Sequence, residues 1–116
     1  SMYFLPRIIG MNLAKELIFS GRRFSASEAK ELGIVNHVYS ADQLMVEANK
    51  LALEFASGPT KAFGLAKKII NRSLESTLAE IAELEAYGQA TLYTTEDHKS
   101  AKEAFANKSL PTFNGR

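Results

Sequence analysis

Three consecutive side chains, Glu96, Asp97 and His98, are of the types that general acid/base catalysis requires. They follow Thr95 directly, however, and acidic residues after a hydroxyl side chain are also what the first turn of a helix favours, where carboxylates meet the positive end of the helix dipole. The capping reading is the stronger of the two. His37 stands alone, and one histidine defines no metal site. A different chemistry is offered by Phe105 and Lys108, an aromatic three residues ahead of a lysine, a spacing that places both on one face of a helix. A flat ring beside an ammonium suits a nucleotide carrying phosphates. On composition alone the same pair is more often a core anchor with a surface lysine. There is no Gly-rich phosphate loop, no paired zinc-ligand spacing and no nucleophile elbow.

The elements that would carry these residues are helical. Ile8 to Phe19 reads as one helix, with Ile9, Leu13 and Leu17 on a stripe, Pro6 just ahead and Ser20-Gly21 as the stop. Ser25 and Glu28 have capping-box spacing and open a short helix ending at Gly33. The run 34–39 is β-branched and aromatic, so it reads as extended and as the neighbour of a sheet edge in polypeptide outside this sequence. Ser40 and Gln43 suggest a second capping box ahead of Leu44, Ala48, Leu51 and Phe55, the clearest amphipathic stripe in the chain.

Ser57-Gly58-Pro59 separates that helix from one bearing Ala62, Leu65, Ala66 and Ile69. Thr77 and Glu80 open another, running through Leu84 and Leu92 to Tyr93, and a last short helix spans about Thr95 to Asn107 before Pro111. Lys61, Lys67, Lys68 and Arg72 lie on one of these helices and Glu75, Glu80, Glu83 and Glu85 on or near the next, so antiparallel packing would bring opposite signs together. The expected architecture is all-α: five to six helices with one short extended segment near 34–39.

Composition sets bounds on function. The chain has 116 residues, 46% of them hydrophobic and 23% charged, as in a globular domain able to bury a core. A formal net charge of +1 gives no global field for nucleic acid or an anionic membrane, and the basic helix lacks interleaved aromatics, so neither partner is expected. With no cysteine there is no disulfide or thiolate site. No apolar run reaches the roughly 20 residues that span a bilayer. A cytoplasmic location is expected, with mitochondrion and peroxisome as alternatives. Ser1-Met2 has the look of an expression scar, leaving 3–116 as the domain.

Several stretches, in order and spacing, resemble the enoyl-CoA hydratase/isomerase (crotonase) family. They are 5–10 (Leu-Pro-Arg-Ile-Ile-Gly), 14–17 with Ser20-Gly21, 27–29 with Gly33-Ile34-Val35-Asn36-His37-Val38, and then Thr95-Glu96-Asp97, Ala104-Phe105 and Lys108 to Phe113. The resemblance covers nearly the whole chain from Tyr3 and lies in the family's C-terminal helical region. It implies a parent that hydrates trans-2-enoyl-CoA or shifts its double bond. In that family a core of stacked ββα turns holds the enolate oxygen with backbone N–H groups, and hydratases add two glutamates; the matching positions would precede Tyr3.

On that reading this chain contributes no catalytic residue and no metal site, binds no cofactor tightly, and is inactive alone. It helps form a trimer or hexamer and, through Phe105 and Lys108, part of the site for a coenzyme A thioester. Two departures stand out: Ser109 follows the matched lysine where a basic residue is frequent, and Ser100-Ala101 replaces a common acidic residue and glycine, leaving the local helix geometry open. The alternative is a non-enzymatic helical module whose apolar faces bind another protein.

Overall fold

A computed structural model describes residues 2–116, which form seven α-helices and, among the described residues, no strand. Ser1, half of the dipeptide set aside above, lies outside them. The helices are α1 (Leu5–Ile9), α2 (Met11–Ser20), α3 (Ala26–Glu31), α4 (Ala41–Ala56), α5 (Thr60–Ser73), α6 (Leu78–Tyr93) and α7 (Glu96–Ala106). The chain divides into two compact units, 1–48 and 49–116, and the division falls within α4.

In the first unit the expected single helix over 8–19 is two. Gly10, at φ 82° and ψ 157°, ends α1 and begins α2, a conformation open to glycine and closed to most other residues. Helical spacing in the sequence runs through this break because the flanking residues keep their period. Ser25 caps α3 by accepting the Glu28 N–H at 3.1 Å. The reciprocal half of the expected box is missing, for the Glu28 carboxylate takes the Arg22 guanidinium at 2.6 Å. That hydrogen bond holds the Glu28 carboxyl below its ordinary range.

The segment 34–39 forms no strand. Its beginning instead closes α3 in a Schellman motif: Ile34 N–H donates to the Ala29 carbonyl (2.8 Å) and Gly33 N–H to that of Lys30 (3.0 Å), with Gly33 left-handed at φ 74°. Ser40 does not form a box with Gln43 either. The Asp42 carboxylate takes both side chains, and its pKa is lowered, first by the Ser40 hydroxyl and then by Gln43.

The second unit is built on α5 and α6, which pack antiparallel through Leu65 and Ile69 against Gly88. Gly88 is buried; a Cβ there would lie 2.6 Å from Leu65 Cδ2 and 3.3 Å from its Cγ. Thr77 opens α6 with the complete capping box expected: Glu80 N–H donates to Thr77 Oγ1 (3.3 Å) and Thr77 N–H to Glu80 Oε2 (2.7 Å). The Glu80 carboxyl is thereby held below its usual 4.5, chiefly by the Thr77 N–H and hydroxyl, with a smaller contribution from the field of Arg72 at the end of α5. Opposite charges on the two helices therefore do attract.

The core falls short of what 46% hydrophobic residues led one to expect. Among the described residues, the buried apolar side chains are Ala14, Leu17, Ala29 and Ala104. The α4 stripe is exposed, with Leu44 at 51% and Phe55 at 55%, and so are its neighbours Met45, Val46 and Leu53. No helix is long and apolar enough to cross a membrane.

Candidate functional site

The end of α7 carries both candidate residues. Sequence spacing put Phe105 and Lys108 on one helical face, but α7 stops at Ala106 and Lys108 lies beyond it, at φ 54°. The physical reason is a second Schellman motif. Ser109 N–H donates to the Ala104 carbonyl (2.9 Å) and Lys108 N–H to that of Phe105 (3.3 Å). In α3 the left-handed position of this motif is Gly33; in α7 it is a lysine, whose Cβ makes that conformation cost roughly 1 kcal/mol or more. Among the described residues no other non-glycine has positive φ.

Phe105 is 88% exposed, which removes the core-anchor reading. An accessible ring and an ammonium three residues apart offer a stacking surface and a phosphate donor, a combination fit for a phosphorylated nucleotide. Ser109, in the place where a second cation was expected from the family pattern, uses its backbone to terminate the helix.

The Glu96-Asp97-His98 cluster is structural. Thr95 caps α7 by accepting the His98 N–H at 3.1 Å, and the His98 ring packs 4.8 Å from that of Tyr93. Asp97, only 4% exposed, accepts from the backbone N–H groups of Asn114 (2.7 Å) and Gly115 (3.1 Å). Its own N–H, one of the free donors at the helix start, reaches the main-chain oxygen of Arg116 (3.1 Å). Glu96 accepts from the Asn114 side chain at 3.1 Å. Farther along, the Ser100 hydroxyl donates to the Thr112 carbonyl (2.7 Å) and accepts the Thr112 N–H (3.3 Å).

Residues 109–116 are thus strapped along α7, and Ser100-Ala101, where local geometry was open, is regular helix. None of this was visible in the sequence beyond the polar character of 95–100, because the partners lie 12 to 18 residues away. The strap carries Phe113, which with Pro59, Lys61, Leu92 and His98 borders an apolar cavity of about 210 Å³. His37 is exposed beside Tyr39, with ring centroids 5.9 Å apart, and among the described residues no three His, Asp or Glu side chains converge as a metal site would require.

A helical scaffold without an assembled acid/base pair, ending in an exposed aromatic and a lysine, defines an accessory rather than a catalytic region. Comparison with known proteins agrees. The chain belongs to the enoyl-CoA hydratase/isomerase family, whose profile matches residues 1–116, and its seven helices match the C-terminal helical region of the crotonase fold.

It is 38% identical over 106 residues to the short-chain-enoyl-CoA hydratase of Clostridium acetobutylicum, an alignment covering 90% of this chain and 40% of the relative. The crystal structure of an enoyl-CoA hydratase from Bacillus anthracis superimposes with a TM-score of 0.90 at 37% identity, covering 97% of this chain and 43% of that one. An enoyl-CoA hydratase/isomerase from Cupriavidus metallidurans gives a TM-score of 0.90 at 37% identity, with 98% and 43% covered. The chain spans less than half the length of the relatives it matches.

Proposed function

We propose that this chain is the helical, coenzyme A-covering portion of an enzyme that hydrates trans-2-enoyl-CoA or shifts its double bond. Phe105 stacks on the nucleotide base and Lys108 meets its phosphates. The enolate-stabilising backbone donors and the catalytic glutamates belong to the ββα core that accompanies such helices, and the chain alone is inactive. Its exposed α4 stripe packs on that core or on sister subunits of a trimer or hexamer, and the parent enzyme works in the cytoplasm.

One observation carries the reading: the chain matches less than half of each relative, and the apolar residues Leu44, Leu53 and Phe55 are exposed in just that part. Burying such side chains is worth about 1.5–3 kcal/mol each, so a fold that leaves them in water expects a partner surface. Crotonyl-CoA hydration is the first test. No turnover is expected from the chain alone, and measurable hydration by it would overturn the proposal. In a full-length enzyme carrying this region, Phe105→Ala or Lys108→Ala should each weaken coenzyme A binding roughly tenfold, the value of a charge-assisted hydrogen bond or a stacked ring. Calorimetric titration measures this, and unchanged affinity rejects the assignment of both residues.

A further inference from the structure

The contact proposed for Lys108 leaves a question of geometry. A lysine at the left-handed position of a helix stop is unfavourable on its own, and the chain after it must be held for that stop to persist. The hydrogen bonds that hold it lie at three levels of α7. Nearest is Ser109 N–H on the Ala104 carbonyl. One turn back, the Ser100 hydroxyl takes both main-chain groups of Thr112, at 2.7 and 3.3 Å. At the helix start, the Asp97 carboxylate takes the N–H groups of Asn114 and Gly115, and the Asp97 N–H takes the Arg116 oxygen.

Asp97, Ser100 and Ala104 recur at steps of three and four and so share one face of α7. The returning chain is extended against that face, antiparallel to it, with the reversal at 108–111. We propose that Asp97 and Ser100 are positioning residues for Lys108: by fixing the returning segment 112–116 they hold Lys108 in its left-handed conformation and set the ammonium relative to the Phe105 ring. The inference rests on the proposed contact with coenzyme A only for its functional consequence; the conformational claim stands on this geometry alone.

Two features sharpen the claim. Asp97 is 4% exposed and its two oxygens are both engaged by main-chain N–H groups, so its side chain serves the strap and nothing else in the structure. At the other end Gly115 is itself left-handed, at φ 75°, and a Cβ there would sit 2.8 Å from Thr60 Oγ1. The strap can therefore be loosened from the α7 side, by Asp97→Ala or Ser100→Ala, or from the tail side, by Gly115→Ala, which leaves the sequence of α7 untouched. Ser100→Thr keeps the hydroxyl and serves as the conservative control. Lys108→Gly removes the resistance to the left-handed conformation, so it should restore the helix stop in a loosened strap.

The test is nuclear magnetic resonance on the 116-residue chain. Amide exchange of Thr112, Asn114 and Gly115 reports the strap, and the HN–Hα coupling with the Cα and Cβ shifts of Lys108 reports its backbone. Asp97→Ala, Ser100→Ala and Gly115→Ala should each speed exchange at 112–115 by tenfold or more and move Lys108 out of the left-handed region. Ser100→Thr should leave both unchanged, and Lys108→Gly placed on Asp97→Ala should recover the stop. If Lys108 keeps its coupling while the strap amides exchange freely in Gly115→Ala, the positioning role is overturned.

Coenzyme A affinity of a full-length enzyme carrying this region separates the two proposals. Asp97→Ala should weaken binding in the presence of Lys108 and have no further effect on Lys108→Ala, since residues acting through one another are not additive. Additive losses overturn the positioning role. If Lys108→Ala itself leaves affinity unchanged, the proposed contact falls, while the resonance experiment still decides the conformational claim.

Discussion

Lys108 shows how a single residue can be at odds with its own backbone. The α3 stop, with Gly33 in the equivalent place, is the unstrained version of the same motif within this molecule. Lys108→Gly should therefore stabilise the chain by roughly 1 kcal/mol, visible as a raised midpoint in urea unfolding, while lowering affinity for coenzyme A. An unchanged midpoint would mean the lysine is unstrained. The identity and spacing of Phe105 and Lys108 were legible in the sequence, as was the capping role of Thr95. The left-handed turn between them was not, because no local pattern names a lysine as a helix stop. It is set by Asp97 and Ser100 through chain that returns from beyond Pro111.

Among the elements, α6 was the most legible, since both halves of its capping box and its length follow from local residues. Thr77→Ala removes the N-cap and should cost about 1 kcal/mol in an unfolding titration. The paired carboxylate adds a pH dependence of definite sign. Glu80 titrates below its usual 4.5 in the folded chain, so its contribution is fully present above that value and is lost as pH falls through the folded pKa. Glu80→Gln should flatten the stability profile in that acid range, and an unaltered slope would show that the box forms no stabilising pair.

The packing of α6 on α5 was less legible, for Gly88 reads in sequence as a mere weak point of a helix. In the structure it is where α5 comes closest, and Gly88→Val should destabilise the chain by about 1–3 kcal/mol by overpacking Leu65. A melting temperature equal to that of the parent would contradict the close approach. The helical period also concealed the break at Gly10, and the β-branched run 34–39 suggested a strand that the α3 stop replaces. Propensity lost to backbone hydrogen bonding in both places.

For the whole molecule, apolar content did not translate into a core, because a count of hydrophobic residues does not say which polypeptide will cover them. Leu44, Leu53 and Phe55 left in water should make the isolated chain associate as its concentration rises, and sedimentation velocity will show this as a concentration-dependent increase in mass. A strictly monomeric chain across that range would mean α4 is covered in some other way. The strap on α7 has a consequence of another kind. Terminal residues normally fray and are the first taken by exopeptidases, yet here Asn114 to Arg116 are engaged with the opening turn of a helix. Trimming by a carboxypeptidase must wait for the strap to detach, so the lag before the first residues are lost becomes a clock for its lifetime, and each residue removed leaves a free donor or acceptor at the distant end of α7.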